Sequence, residues 1–170
     1  MIEVCETDSG CWRKSRNTFE IGSMRLTRLE SSHPLLMAAY RNASPEQQRS
    51  TALRAFESAL AAVGMSDADV DAARACLRDE KQADQALIMR LRQRVEALDS
   101  NYLNAEAGSD GRTEASLAWF SQARALAALL YLLAPSQSGS LHESIYESLM
   151  AVEDPEPLCE EIMSVLRVRH

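Results

Sequence analysis

All six Gly and all five Pro of this 170-residue chain fall between apolar periodic segments rather than inside them. Gly and Pro are the strongest local breaks a sequence can carry, so their placement divides the chain into uninterrupted stretches whose apolar residues recur at three and four. Runs rich in Val, Ile, Thr and aromatic residues are nearly absent, which argues against strands. The reading is all-α: a single-domain bundle of five to six helices around a central apolar helix at about 112–134. A chain of this length buries roughly two thirds of its unfolded surface in one core and needs no disulfide or metal to do so.

The helix signals are local and specific. Ser44-Pro45-Glu46-Gln47 supplies an N-cap, a Pro at the first helical position and a Gln three residues past the cap. Ala52, Leu53, Phe56, Ala59, Leu60 and Val63 then form one face, and Gly64 offers a left-handed stop. Ser66 to Asp69 open the next helix, with Val70, Ala73 and Leu77 inward. No Gly or Pro occurs over 65–107, but residues 78–85 hold Ala83 as their one apolar member, so a break is expected near Glu80. The stripe resumes through Leu87, Ile88, Leu91, Val95, Leu98 and Tyr102.

In the next segment Leu126, Leu129, Leu130, Leu132 and Leu133 spread over most of a helical wheel, so neighbours should cover it on several sides. It approaches the length of a membrane span, but Arg124 interrupts it, and a central Arg opposes insertion by about 2.5–3.5 kcal/mol. A buried helix in a protein with no membrane partner is the expectation. Two short helices follow, opened by Ser140 and by Asp154-Pro155, with Leu141, Ile145, Leu149, Leu158 and Ile162 inward.

Residues 1–33 are polar and lack a sustained period, so they read as a mobile N-terminal arm preceding a helical domain at 34–170. Met24 offers an alternative start. The first 25 residues hold no apolar run of about 7–15 residues after their basic residues, which predicts a cytoplasmic protein. Sixteen of the 18 basic residues are Arg, a bias that fits a GC-rich bacterial genome.

Charge is distributed unevenly. Residues 125–166 contain no Lys or Arg, yet hold Glu143, Glu147, Glu153, Asp154, Glu156, Glu160 and Glu161. Glu143, Asp154 and Glu156 fit helix caps or first turns. Glu147, Glu153, Glu160 and Glu161 are left over, and Glu147 and Glu160 lie opposite the apolar faces of their helices, which predicts exposure. Three fates are open to them: a solvated acidic face, internal neutralisation by Arg90 and Arg94, or a basic protein partner. The net charge of −7 disfavours nucleic acid, whose phosphates need clustered Lys and Arg.

Signs of chemistry are weak. Glu30 and His33 have the Glu-x-x-His spacing of di-iron bundles, but neither His142 nor His170 supplies a second copy, and Pro34 disfavours helix at His33. Cys5, Cys11, Cys76 and Cys159 match neither a redox pair nor a disulfide framework. His142 has no nucleophile motif beside it, and no Gly-rich phosphate loop is present. No cofactor or metal is expected. The function expected is therefore non-catalytic: an acidic protein-binding module of the immunity or inhibitor, chaperone or adaptor type, engaging a basic partner through Glu147, Glu153, Glu160 and Glu161. The alternative is a small-molecule-binding or sensor domain with an apolar pocket lined by Trp119, Phe120 and Tyr131.

Overall fold

The computed structural model describes residues 26–108, 113–134 and 141–167, and among these it is helical with no strand. Among the described residues eight helices are present rather than five to six: α1 (Arg28–Ser32), α2 (Pro34–Arg41), α3 (Pro45–Val63), α4 (Ala68–Arg78), α5 (Gln85–Gly108), α6 (Glu114–Leu133), α7 (Leu141–Ala151) and α8 (Glu156–Arg167). Two short N-terminal helices raise the number. His33, with φ −136° and ψ 69°, leaves the helical region immediately before Pro34, as residues preceding proline tend to, and so separates α1 from α2.

Residues 28–32, inside the stretch expected to be an arm, form α1. Thr27 caps α1 by accepting a hydrogen bond from the Glu30 amide at 3.2 Å, and Leu29 is fully buried in the core. The rest of the expected arm, residues 1–25, and the Met24 start lie outside the described residues. So does Ser140 as the cap of α7.

Where the local signals were strong, the elements match them. Ser44 and Gln47 make both bonds of the capping box, at 3.2 and 3.0 Å, and Gly64 ends α3 at φ +62°. The break near Glu80 is real: α4 ends at Arg78, and Asp84 restarts the chain by accepting from the Leu87 amide at 2.7 Å. Glu80 itself adopts φ +53°, and the Lys81 amide reaches back to the Cys76 carbonyl at 2.9 Å. This is a Schellman ending with Glu where Gly is usual, a strain on the order of 1 kcal/mol.

The core forms where small residues let helices approach. Ala59 of α3, Ala125 of α6 and Ala151 of α7 pack together, while Ser144 of α7 donates to the Ala128 carbonyl of α6 at 3.0 Å. Ser148 satisfies its hydroxyl on the Ser144 carbonyl at 2.8 Å, so both buried serines are paired. Around this contact lie Phe56, Leu126, Leu129, Ile145, Leu149 and Ile162, all buried. The second half of α6 is accordingly enclosed, and the helix packs against α3, α4, α5 and α7. By length and composition α6 is also the one helix among the described residues apolar enough to cross a membrane, with 44% of that stretch buried within the protein.

Candidate functional site

Glu147 overturns one expectation directly. It sits in the outward position of a one-sided wheel, yet it is 2% exposed. The wheel fails because α7 is packed on more than one side: α3 and α6 lie against it, and Arg28 of α1 reaches Glu143, Tyr146 and Glu147. A buried carboxylate without a cation is prohibitive, so counter-charge has to come from other elements.

It comes from Arg28 and Arg124, and not from Arg90 and Arg94. Arg28 of α1 places Nη1 2.7 Å from Glu147 Oε1 and donates from Nε and Nη2 to Glu143 at 2.8 and 2.5 Å. Its guanidinium lies over the Tyr146 ring at 4.5 Å and donates to the Tyr131 hydroxyl at 3.3 Å. Arg124 of α6 donates to Glu147 at 3.1 Å and grips both oxygens of Asp99 on α5 at 2.6 and 2.7 Å. Three carboxylates and two guanidinium groups thus alternate across α1, α7, α6 and α5. Burial works against the charge on Arg124, but the Asp99 hydrogen bonds and the Glu147 charge outweigh it and hold its pKa above the ordinary value. Arg28 is shifted the same way, burial again being opposed by Glu143 and Glu147.

Arg90 and Arg94 serve another helix. Arg90 pairs with Asp69 at 2.8 Å, and Arg94 with Asp67, the N-cap of α4. Their task is fastening α4 to α5.

The remaining carboxylates of the acidic tract divide cleanly. Glu161 is half-buried and accepts from Arg54 of α3 and from the Ser58 hydroxyl at 3.0 Å. Glu153, Asp154, Glu156 and Glu160 are exposed, and no cation among the described residues pairs with them. Asp154 accepts from the Glu156 amide at 3.1 Å, which opens α8, and Glu156 and Glu160 stand one turn apart on that helix. Of the four proposed contact residues, Glu153 and Glu160 are free at the surface, whereas Glu147 and Glu161 are engaged internally.

Beside Glu153 runs an open groove of about 1140 Å³ between the end of α3, the first half of α6 and the end of α7. Leu117 and Met150 face solvent there at 45% and 37% exposure, large values for apolar side chains. Val63, Phe120 and Val152 contribute further apolar wall, and Glu114 and Glu153 are its charged members.

The three aromatic residues proposed for a pocket do not converge. Phe120 lines the groove and packs on Tyr102 with ring centroids 5.2 Å apart. Tyr131, eleven residues further along the same helix, is about 16 Å away by helical rise and belongs to the Arg28 cluster. Trp119 is half-buried and is not part of the groove wall.

Groups with chemical potential elsewhere are occupied structurally. Both Glu30 oxygens are held by Arg41 at 2.7 Å, which depresses the Glu30 carboxyl, and His33 Nδ1 lies 2.9 Å from the Ser32 hydroxyl. His142 packs edge-on to Tyr40 at 6.4 Å beside Glu143. Cys76 and Cys159 are free thiols, and burial with the Glu156 charge pushes the Cys159 thiol up. Among the described residues no three His, Cys, Asp or Glu side chains gather as a metal set.

Comparison of the chain with protein-family models, with curated proteins and with solved structures gives no match.

Proposed function

We propose that this protein is a non-catalytic, acidic helical binding module built around α6, and that it engages a basic protein partner through the α7–α8 turn and the exposed side of α8. One observation carries the reading. In a fold that supplies cations to Glu143, Glu147 and Glu161 from α1, α3 and α6, it leaves Glu153, Asp154, Glu156 and Glu160 without any described cation. Exposed carboxylates with no described ion-pair partner, concentrated on one turn and one helix face, attract a basic partner at long range and speed its association more than they tighten the complex. Inhibitor, chaperone and adaptor proteins all work by such contacts.

The test is kinetic. A partner captured from the native host and then purified should associate with the wild-type chain at a rate that falls steeply with added salt. Glu153→Lys with Glu160→Lys should lower the rate by about tenfold at low ionic strength and flatten its salt dependence. An unchanged rate and slope would remove the proposal.

A second reading, an apolar small molecule held near Phe120, has the groove in its favour. At about 1140 Å³ the groove exceeds the roughly 300–1,000 Å³ usual for such ligands, and it is open to solvent along Leu117 and Met150. Both points favour a macromolecular occupant.

A further inference from the structure

The groove between α6 and α7 adds to the charged surface something that charge alone does not supply, a shape and an apolar floor. We infer that it receives one amphipathic helix of the partner, inserted alongside α6 and α7, with apolar side chains at i, i+4 and i+7 against Leu117, Met150 and Val152 and with Lys or Arg on its flanks. This deepens the reading above and rests on it.

Three observations select that occupant. The walls are helices and the α7–α8 turn, with no strand edge among the described residues, so an extended peptide would find no backbone ladder to join. A third helix lying in the furrow between two others is the ordinary way such a surface is filled, side-chain ridges entering the grooves between neighbouring turns. The charged members of the wall are Glu114 and Glu153, and Asp154 and Glu156 continue the same sign on either side of Pro155. Among the described residues no Lys or Arg lines the groove; the nearest along these helices, Arg124, is committed to Asp99 and Glu147. An acidic or neutral helix would meet repulsion or nothing at these positions, and a basic-flanked one meets complementary charge. Met150 lends adaptability, since an unbranched thioether side chain fits partners of differing contour.

The experiment uses the full chain and a fluorescently labelled helical peptide of about 18 residues, long enough to be marginally helical alone, with Leu at i, i+4 and i+7 and Lys on the flanks. A control peptide carries the same Leu positions with Glu on the flanks. The Lys-flanked peptide should bind and weaken with salt, and the Glu-flanked one should bind at least about tenfold less tightly. Leu117→Asp and Met150→Asp, both at exposed positions and checked for unchanged helicity, should each weaken the Lys-flanked peptide by about tenfold. Glu114→Lys with Glu153→Lys should invert the preference between the two peptides.

Several outcomes overturn the assignment. Binding insensitive to Leu117→Asp and Met150→Asp but abolished by Glu156→Lys with Glu160→Lys removes the groove while keeping the acidic protein-binding reading. Insensitivity to every one of these changes removes both. Self-association lost in Leu117→Asp would make a second copy the occupant, and peptide binding seen only after deletion of residues 1–25 would make the chain's own N-terminal segment the occupant.

Discussion

Glu143 and Glu147 on α7 and Glu156 and Glu160 on α8 are the same local pattern, two carboxylates four residues apart on helices of 11 and 12 residues. They meet opposite fates. The α7 pair, Glu147 buried and Glu143 half-buried, is bound to Arg28 and Arg124, whereas the α8 pair is exposed and has no cation among the described residues. Like charges at this spacing cost only about 0.2–0.5 kcal/mol on a solvated helix, so nothing local separates the two cases. What separates them is the number of neighbours a helix has. One that is packed on several sides turns a polar position into a buried one, and the fold must then deliver counter-charge to it.

The largest expected effect tests that contrast directly. Glu147→Ala leaves two guanidinium groups facing a void, and breaking a buried pair from one side typically costs about 3–5 kcal/mol. Because Arg28 keeps Glu143 and Arg124 keeps Asp99, the lower end, about 3 kcal/mol, is expected in urea unfolding. Glu160→Ala should lie within about 0.5 kcal/mol of wild type. Equal costs would mean that the two pairs are not energetically different.

Arg28→Ala comes next. It removes the link from α1 to α7, but Glu147 retains Arg124 and the Arg28 side chain is 45% exposed, so solvent replaces part of what is lost. A cost of about 1–2 kcal/mol is expected. Arg28→Lys should recover less than half of it, because an ammonium cannot reach Glu143, Glu147 and Tyr131 together as the planar fork does.

The Asp69–Arg90 pair is a third kind of case, a surface carboxylate that does have a cation. Hydrogen bonds from Arg90 hold the Asp69 carboxyl below its ordinary value. A depressed folded pKa contributes stability above the ordinary carboxylate range, and that contribution disappears as pH falls through the depressed value. Asp69→Asn should therefore flatten the acid limb of a stability-against-pH curve below about pH 4. An acid limb equally steep in Asp69→Asn and wild type would show that the Arg90 pairing does not contribute.

Much of the fold was legible in the residues themselves, and little of the charge network was. The start and end of α3 follow from Ser44, Pro45, Gln47 and Gly64, whose effects act within one turn. The break at Glu80 follows from the loss of an apolar stripe over two turns. Arg28 and Glu143, by contrast, are 115 residues apart, and a sequence that shows two signs of charge does not show which members meet. A usable clue lay in α7. Ser144, Ser148 and Ala151 form a stripe of small residues on one flank of the apolar face, and their burial widens the packed surface of the helix there. Arg124 was a second clue. A cation within an apolar helix needs a buried acid, and Glu147 was available. The groove was not legible, because Leu117 and Met150 belong to helices that are apolar for other reasons.

The smallest effect reads the free end of the comparison without unfolding anything. Cys159 lies three residues after Glu156 on α8, and burial first, then the Glu156 charge, pushes its thiol above the ordinary value. Glu156→Lys leaves the burial in place and reverses the nearby charge, so the thiolate fraction at pH 8 should rise. Alkylation of Cys159 by iodoacetamide, followed peptide by peptide in a mass spectrometer, should quicken by less than about tenfold, because only part of the shift is electrostatic. Cys76, on α4, serves as the internal standard and should not change. Glu143→Gln should leave Cys159 unmoved, since burial and the Glu156 charge are what shift that thiol. If the ratio of the two alkylation rates is the same in Glu156→Lys and wild type, the charge at the start of α8 is compensated within the protein, and the surface assigned to a basic partner shrinks to Glu153, Asp154 and Glu160.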